Sequence, residues 1–184
     1  MVLVSRLSSG LAARAARPAA SSFLRSFASV GDSLPSVELH QGFPPKKYNL
    51  ADFAKDKSIL LQIPNYLENQ DALRKAGIQA VIVYCVNDAA VMQAWAKDQK
   101  VGLSMLQLMG DPAGELTQAL DMEMTHPGPI SKGIIGRCKR FALYAVNGEI
   151  KAINVSEGPD DPAGDENPES SLAEAMLEAI EASK

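Results

Sequence analysis

The segment Gln79 to Val86, QAVIVYCV, restricts the possible folds of this chain more than any other. It is a continuous apolar run rich in β-branched residues. A strand with one wet face alternates apolar and polar residues, whereas a strand with no polar face is covered on both sides. Such a strand belongs in the middle of a largely parallel sheet with helices on each face. The flanking sequence agrees. Ser58 to Ile63 is a second short apolar run, ended by Pro64, and Ser104 to Met109 is a third. Helix signals lie between and after these runs. Asn65 and Glu68 have capping-box spacing and open a helix through NYLENQDALRKA, which stops at Gly77. Asn87-Asp88 caps AAVMQAWAKD, and Asp111-Pro112 puts a cap and a first-turn proline before another helix. The alternation of strand and helix predicts parallel strands joined by helical crossovers.

The pattern changes near the C-terminus. Arg140 to Val146 and Glu149 to Val155 are β runs around Asn147-Gly148, the signature of a hairpin with a type I′ turn. Glu157 to Glu169 holds six carboxylates and three prolines and reads as a solvated surface loop. Ser171 and Glu174 have capping-box spacing before a last helix with Leu172, Met176 and Ile180 on its apolar face. Parallel βαβ units, an antiparallel hairpin and a closing helix give an α/β fold. It is a thioredoxin-like three-layer sandwich, with a central mixed sheet and helices on both faces.

Charge divides the chain in two. Residues 1–31 hold Arg6, Arg14, Arg17 and Arg25 and no acid, so they carry +4; the total is −4, which leaves −8 on the rest. An Arg-, Ser- and Ala-rich segment without acids reads as an organelle import signal. Residues 1–28 are therefore expected to be a cleavable leader and 29–184 a single domain. The mitochondrial matrix is the expected destination and a plastid the alternative. The acidic body argues against a nucleic-acid partner. No apolar run approaches the roughly 18 residues of a membrane span.

Cys85 and Cys138 stand 53 positions apart, and His40 and His126 stand alone. No disulfide framework or metal-ligand spacing exists, so neither a metal nor a bound cofactor is expected. Cys85, inside the strongest strand, reads as a small buried hydrophobe, with a regulatory thiol at the strand end as the alternative. Cys138 is flanked by Arg137, Lys139 and Arg140, and neighbouring cations lower a thiol pKa. It reads either as a surface cysteine near a strand start or as a reactive thiol. If it already lies on the strand, alternation puts it on the same face as Arg140. Asp88 and Asp111 read as helix caps, and Val91, Met92 and Trp95 as helix-to-sheet packing, with a dimer face as the alternative. In open α/β sheets, sites form beyond the carboxyl ends of the strands, at helix N-termini. The junction Leu61-Gln62-Ile63-Pro64-Asn65 is the expected place, yet it offers no Cys, Ser, Thr or His.

Several segments closely resemble type II (peroxiredoxin-5-like) peroxiredoxins. They are Val30 to Leu39 (VGDSLPSVEL), Asn49 to Phe53 (NLADF), Ile63 to Glu68 (IPNYLE), Val86 to Met92 (VNDAAVM) with Trp95, Gly110 to Gly114 (GDPAG), and Arg137 to Ala142 (RCKRFA). Together they cover the whole expected domain, in order and at family-like spacing. The resemblance implies reduction of hydrogen peroxide and organic hydroperoxides. It implies a peroxidatic cysteine in a Pro-x-x-x-Thr-x-x-Cys loop, reset by thioredoxin or glutaredoxin, with no metal or organic cofactor. It also implies a homodimer. Of the pocket residues only the arginine carries over, as Arg140. The segment that holds the proline, threonine and cysteine is absent between Leu61 and Ile63.

That gap removes the nucleophile and leaves only positioning effects. It need not remove the fold: Asn65 to Ala76 as a helix spans about 18 Å, near the minimum for a βαβ crossover. Part of the pocket wall is lost, which exposes apolar surface. Three readings stay open. The chain is an incomplete copy of a working peroxidase, which the clean break between two family-like segments favours. Or it is a cysteine-less isoform acting as a dimer partner or binding protein. Or it is a redox protein that uses Cys138 or Cys85.

Overall fold

The computed structural model describes residues 28–62, 66–158, 160–161, 164 and 166–184. The elements run β1 (Glu38–Gln41), β2 (Lys46–Asn49), α1 (Leu50–Phe53), β3 (Ser58–Gln62), α2 (Gln70–Lys75), β4 (Ala80–Cys85), α3 (Ala89–Asp98) and β5 (Leu106–Gly110). They continue with α4 (Glu115–Ala119), α5 (Pro127–Ser131), β6 (Phe141–Val146), β7 (Glu149–Val155), a 3₁₀ turn (Pro168–Ser171) and α6 (Ala173–Ala182). The strands form one sheet in the order β2-β1-β5-β4-β3-β6-β7. β3, β4 and β5 are parallel, and β6 runs antiparallel to β3, so the sheet is mixed as the sequence predicts.

Strand alternation sorts the core onto two faces. Ile59, Leu61, Ile82, Tyr84, Met109 and Leu143 pack with Leu50 of α1 and Leu116 of α4. Leu60, Val81, Val83, Leu108 and Tyr144 pack with Leu73 of α2, Met92 of α3, and Met176 and Ile180 of α6. Helices therefore cover both faces, and β4 is buried on each, which explains its unbroken apolar sequence. Complete burial of such side chains contributes about 1.5–3 kcal/mol each.

Local signals are realised unevenly. The β6–β7 turn has Asn147 at φ 50° and Gly148 at φ 80°, the left-handed pair that a type I′ turn requires. The Asn147 side chain also accepts the Asp56 amide at 3.0 Å, which ties the turn to the approach to β3. Asp88 caps α3 as expected by accepting the Val91 amide at 2.9 Å. In contrast, α4 starts at Glu115 after a left-handed Gly114, not at Pro112. α6 starts after Leu172 and has no side-chain cap, because tertiary bonds claim the expected capping pair. The Ser171 hydroxyl accepts the buried Ser156 hydroxyl at 2.8 Å, and Glu174 accepts the Asn69 side chain at 3.0 Å. The acidic stretch after β7 is anchored at its start, where Glu157 meets the mostly buried Lys139 at 2.6 Å. The β1–β2 hairpin and α5 carry no strong sequence signal, being short and largely polar or Pro/Gly-rich. At the sheet edge, β2 presents exposed Lys46 and Lys47. Residues 1–27 of the expected leader lie outside the described residues.

Candidate functional site

The strand registers bring the chemistry-bearing residues to one end of the sheet. β3 ends with Gln62 paired to Val83, and Cys85, at the end of β4, is paired to Gly110 of β5. β6 runs the other way, with Ala142 opposite Gln62. Arg140, two residues before Ala142, therefore stands at the carboxyl end of β3. It is half-buried, and its carbonyl accepts the Ser156 amide at 2.9 Å.

The β3–α2 junction is short of helix. Ile63, Pro64 and the expected cap Asn65 lie outside the described residues, but residues 66–69 are turn rather than helix. α2 has only six residues, and its N-cap Asn69 makes no side-chain bond to the helix amides. The capping box of Asn65 and Glu68 is thus not what starts this helix. Tyr66 is fully buried, and its hydroxyl donates to the Ser171 carbonyl at 3.2 Å. Burial, helped by Glu174, pushes that phenol well above its ordinary range. Beside it lies a hollow of about 370 Å³, lined by Tyr66, Leu67, Val83, Trp95, Leu106 and Leu108 among others. The sheet residues at its floor, Val83, Leu106 and Leu108, stay buried, while Leu67 and Trp95 at its sides are half-buried. From Leu61 to Lys75 the sequence holds no Cys, Ser, Thr or His.

The β4–α3 junction is complete. Besides the Asp88 cap, Asn87 accepts the Asp88 amide at 2.9 Å, and the Asp111 amide donates to the Cys85 carbonyl at 2.9 Å. Gly110 is required here, since a Cβ would lie 2.4 Å from the Asn87 carbonyl oxygen. Asp111 is buried and caps at a distance, accepting the Thr117 amide and hydroxyl, each at 3.0 Å, and the Leu116 amide at 3.3 Å. His126 caps α5 through Nδ1, which accepts the Gly128 amide at 3.0 Å. His40 sits on β1 opposite Gly110.

A second hollow, of about 490 Å³, opens at this junction between Cys85, Asn87, Trp95 and the segment from Gly133 to Cys138. Here two readings of the cysteines are corrected. Cys138 is neither on the surface nor on β6. It forms a short antiparallel bridge with Glu123 and is only 4% exposed. The chain bends at Arg140 before β6 begins, so strand alternation does not relate the two residues. The thiol is pushed up to about 11, chiefly by burial and then by nearby Cys85, against weaker lowering from backbone amides and Arg137. Local cations predicted the opposite direction; burial outweighs them, and Lys139 is turned to Glu157. Cys85 is half-buried at the strand end rather than sealed in the core, and burial raises its thiol too, with Arg137 opposing. Sequence reading missed that these two thiols share one hollow, because nothing local signals the Glu123–Cys138 bridge.

Tyr84, in the same core as Cys138, stacks edge-on against Phe141 at 5.9 Å between ring centroids. Its buried hydroxyl has no hydrogen-bond partner among the described residues. Thr117 is close enough to favour the ionised phenol slightly, but it gives its own proton to Asp111, and burial dominates and raises the phenol. Among the described residues, no three metal-ligating side chains gather at one place, and no helix is long and apolar enough to cross a membrane.

The architecture matches known proteins over nearly the whole described region. The family model described as Redoxin matches residues 29–175. Rice Peroxiredoxin-2E-2, chloroplastic, is 30% identical over 148 residues, 70% of this chain and 65% of that protein. The chain thus spans just under two thirds of that relative. Peroxiredoxin-2E, chloroplastic, of Arabidopsis thaliana is 30% identical over 166 residues, 76% of this chain and 70% of that protein. Reduced Prx3 from Vibrio vulnificus in complex with H2O2 superimposes with a TM-score of 0.70 at 26% identity, covering 84% of this chain and 97% of that one. With the thioredoxin-like sheet, the two-faced helical cover and these matches together, the chain belongs to the Redoxin family, as a peroxiredoxin of the type II, peroxiredoxin-5-like kind.

Proposed function

We propose that the function of this protein is thiol-dependent reduction of hydrogen peroxide and organic hydroperoxides, with thioredoxin or glutaredoxin resetting the oxidised thiol. We further propose that the chain in this form lacks the peroxidatic segment between Leu61 and Ile63 and does not turn over. The observation that carries this reading is the position of Arg140 at the carboxyl end of β3. A guanidinium there would hold a thiolate and polarise the peroxide oxygen it attacks. The fold keeps that arginine while the neighbouring junction offers no nucleophile.

An organelle is the proposed site of action, the mitochondrial matrix first, with residues 1–28 removed on import. The acid-free leader supports this, and both mitochondrial and chloroplastic peroxiredoxins stand among the relatives. Fusing residues 1–28 to a fluorescent reporter tests it; plastid accumulation would reassign the compartment.

The catalytic reading is tested by two proteins side by side. One is the chain as written. The other has a Pro-x-x-x-Thr-x-x-Cys loop inserted in place of Gln62. Hydroperoxide consumption is followed with thioredoxin and with glutaredoxin. Since the nucleophile is the missing element, the restored chain is expected to exceed the first by at least about 10³-fold. Arg140→Ala in the restored chain should abolish most of that gain. Sustained turnover by the chain as written would overturn the reading.

A further inference from the structure

The hollow of about 370 Å³ beside Tyr66 has one chemistry on its floor and another at its rim. The floor is Val83, Leu106 and Leu108, three buried aliphatic side chains. It is continuous, because Val83 of β4 and Leu108 of β5 are register partners on adjacent strands. Tyr66 closes one side, and its hydroxyl is already committed to the Ser171 carbonyl at 3.2 Å. Half-buried Trp95 of α3 stands at another side. A volume of this size accepts one ring with a short chain, and taking that ring out of water onto an aliphatic floor is favourable.

The rim carries one sign of charge. Among the described residues that line the hollow, Glu68 is the only ionic one. Its carboxylate is exposed and joins no ion pair among the described residues. Gln99 also lines the hollow. It gives a side-chain N–H to Asp98 at 2.9 Å, which leaves its carbonyl oxygen as an acceptor. The Trp95 indole adds a π system, which attracts a cation where an aliphatic wall would not. Carboxylate, amide oxygen and indole all favour a positive head group, whereas an anionic head group would meet Glu68 with like charge.

We propose that this hollow binds a small amphipathic ammonium ion, a free aralkyl amine whose ring lies on Val83 and Leu108 and whose ammonium sits at Glu68. The floor supplies most of the affinity. Glu68 supplies the selection by charge, and its contribution is modest because solvent screens an exposed carboxylate. Binding uses neither cysteine, nor Arg140, nor the absent segment, so it stands or falls apart from the peroxidase reading.

The test titrates the full chain with phenethylammonium, with 2-phenylethanol as its uncharged analogue and 3-phenylpropionate as its anionic one. Trp95 is the one tryptophan in the sequence, so its fluorescence reports on the wall of the hollow. It also lines the second hollow, so the location is fixed by the methyl NMR shifts of Val83 and Leu108, which line the first hollow and not the second. The expected result is a saturable fluorescence change with shifts at those methyls, and affinity falling in the order ammonium, alcohol, carboxylate. Glu68→Gln, at an exposed position, should weaken phenethylammonium by about 1.5- to 5-fold, the range of an exposed ion pair, and leave 2-phenylethanol unchanged. Added salt should narrow the gap between the ammonium and the alcohol. Four results would each overturn the proposal: no saturable change with any probe, the carboxylate bound as tightly as the ammonium, shifts at Ile134 and Ile135 while Val83 and Leu108 stay still, or an undiminished preference for the cation in Glu68→Gln.

Discussion

The two junctions that follow β3 and β4 begin from nearly the same sequence logic and end differently. Each has an apolar strand, an asparagine or aspartate at the turn, and an amphipathic segment behind it. After β4 the cap forms, the helix runs ten residues, and its Met92 is buried against the sheet. After β3 the chain spends residues 66–69 on a turn and then makes only six residues of helix. The hollow of about 370 Å³ lies beside Tyr66 at the β3 junction. A capping signal starts a helix only where the chain has length to cross the sheet face and turn back; without that, tertiary bonds such as Tyr66 to Ser171 decide the path.

Three measurements would break or sharpen this contrast. The largest effect is expected in the helices themselves. Met92→Ala should destabilise by about 2–5 kcal/mol, as large-to-small core changes do. Leu73→Ala in α2 should fall toward the low end of that range, because a six-residue helix can shift into the adjoining hollow. Equal losses in urea unfolding would remove the contrast.

The second effect concerns how tightly the β4 end is sealed. The Cys138 thiol is raised from its ordinary 9.0 to about 11 in the folded protein. The unfolded chain therefore loses this proton first as pH rises. The associated stability is fully present below about pH 9 and is lost as pH climbs through about 11, to the extent of about 2–3 kcal/mol. Urea midpoints from pH 8 upward should decline more in the unmodified chain than in Cys138→Ala. Parallel declines would mean that the sulfur is not sealed.

The smallest effect separates the caps. Asp88→Ala should cost about 1 kcal/mol, whereas Asn69→Ala should cost a few tenths, since Asn69 makes no cap bond. A larger loss at Asn69 would show that its exposed bond to Glu174 matters more than its geometry suggests.

Legibility from sequence follows how local each cause is. β4, α3 and the Asn147-Gly148 hairpin were readable because their signals lie within a few residues of their effects. The Redoxin architecture follows from those units. β1, β2 and α5 were not readable, being short elements that draw their order from pairing and packing rather than from pattern. α4 misled because Asp111 looks like an adjacent cap, while its carboxylate actually reaches Leu116 and Thr117. At the site, Arg140 could be named from a motif, but its place beside Gln62 depends on β3–β6 register. The Cys138 environment was misjudged because charge is visible in sequence and burial is not.

The lysine-bearing edge strand has a further consequence. A domain with an apolar hollow beside a sheet is a hazard in a crowded compartment, because exposed strand edges recruit further strands. β2 is only four residues long and puts Lys46 and Lys47 at the rim. Stacking a second molecule edge-on would bury the Lys46 ammonium and the Lys47–Glu38 ion pair that now face solvent. The edge thus discourages open-ended growth of the sheet across β2.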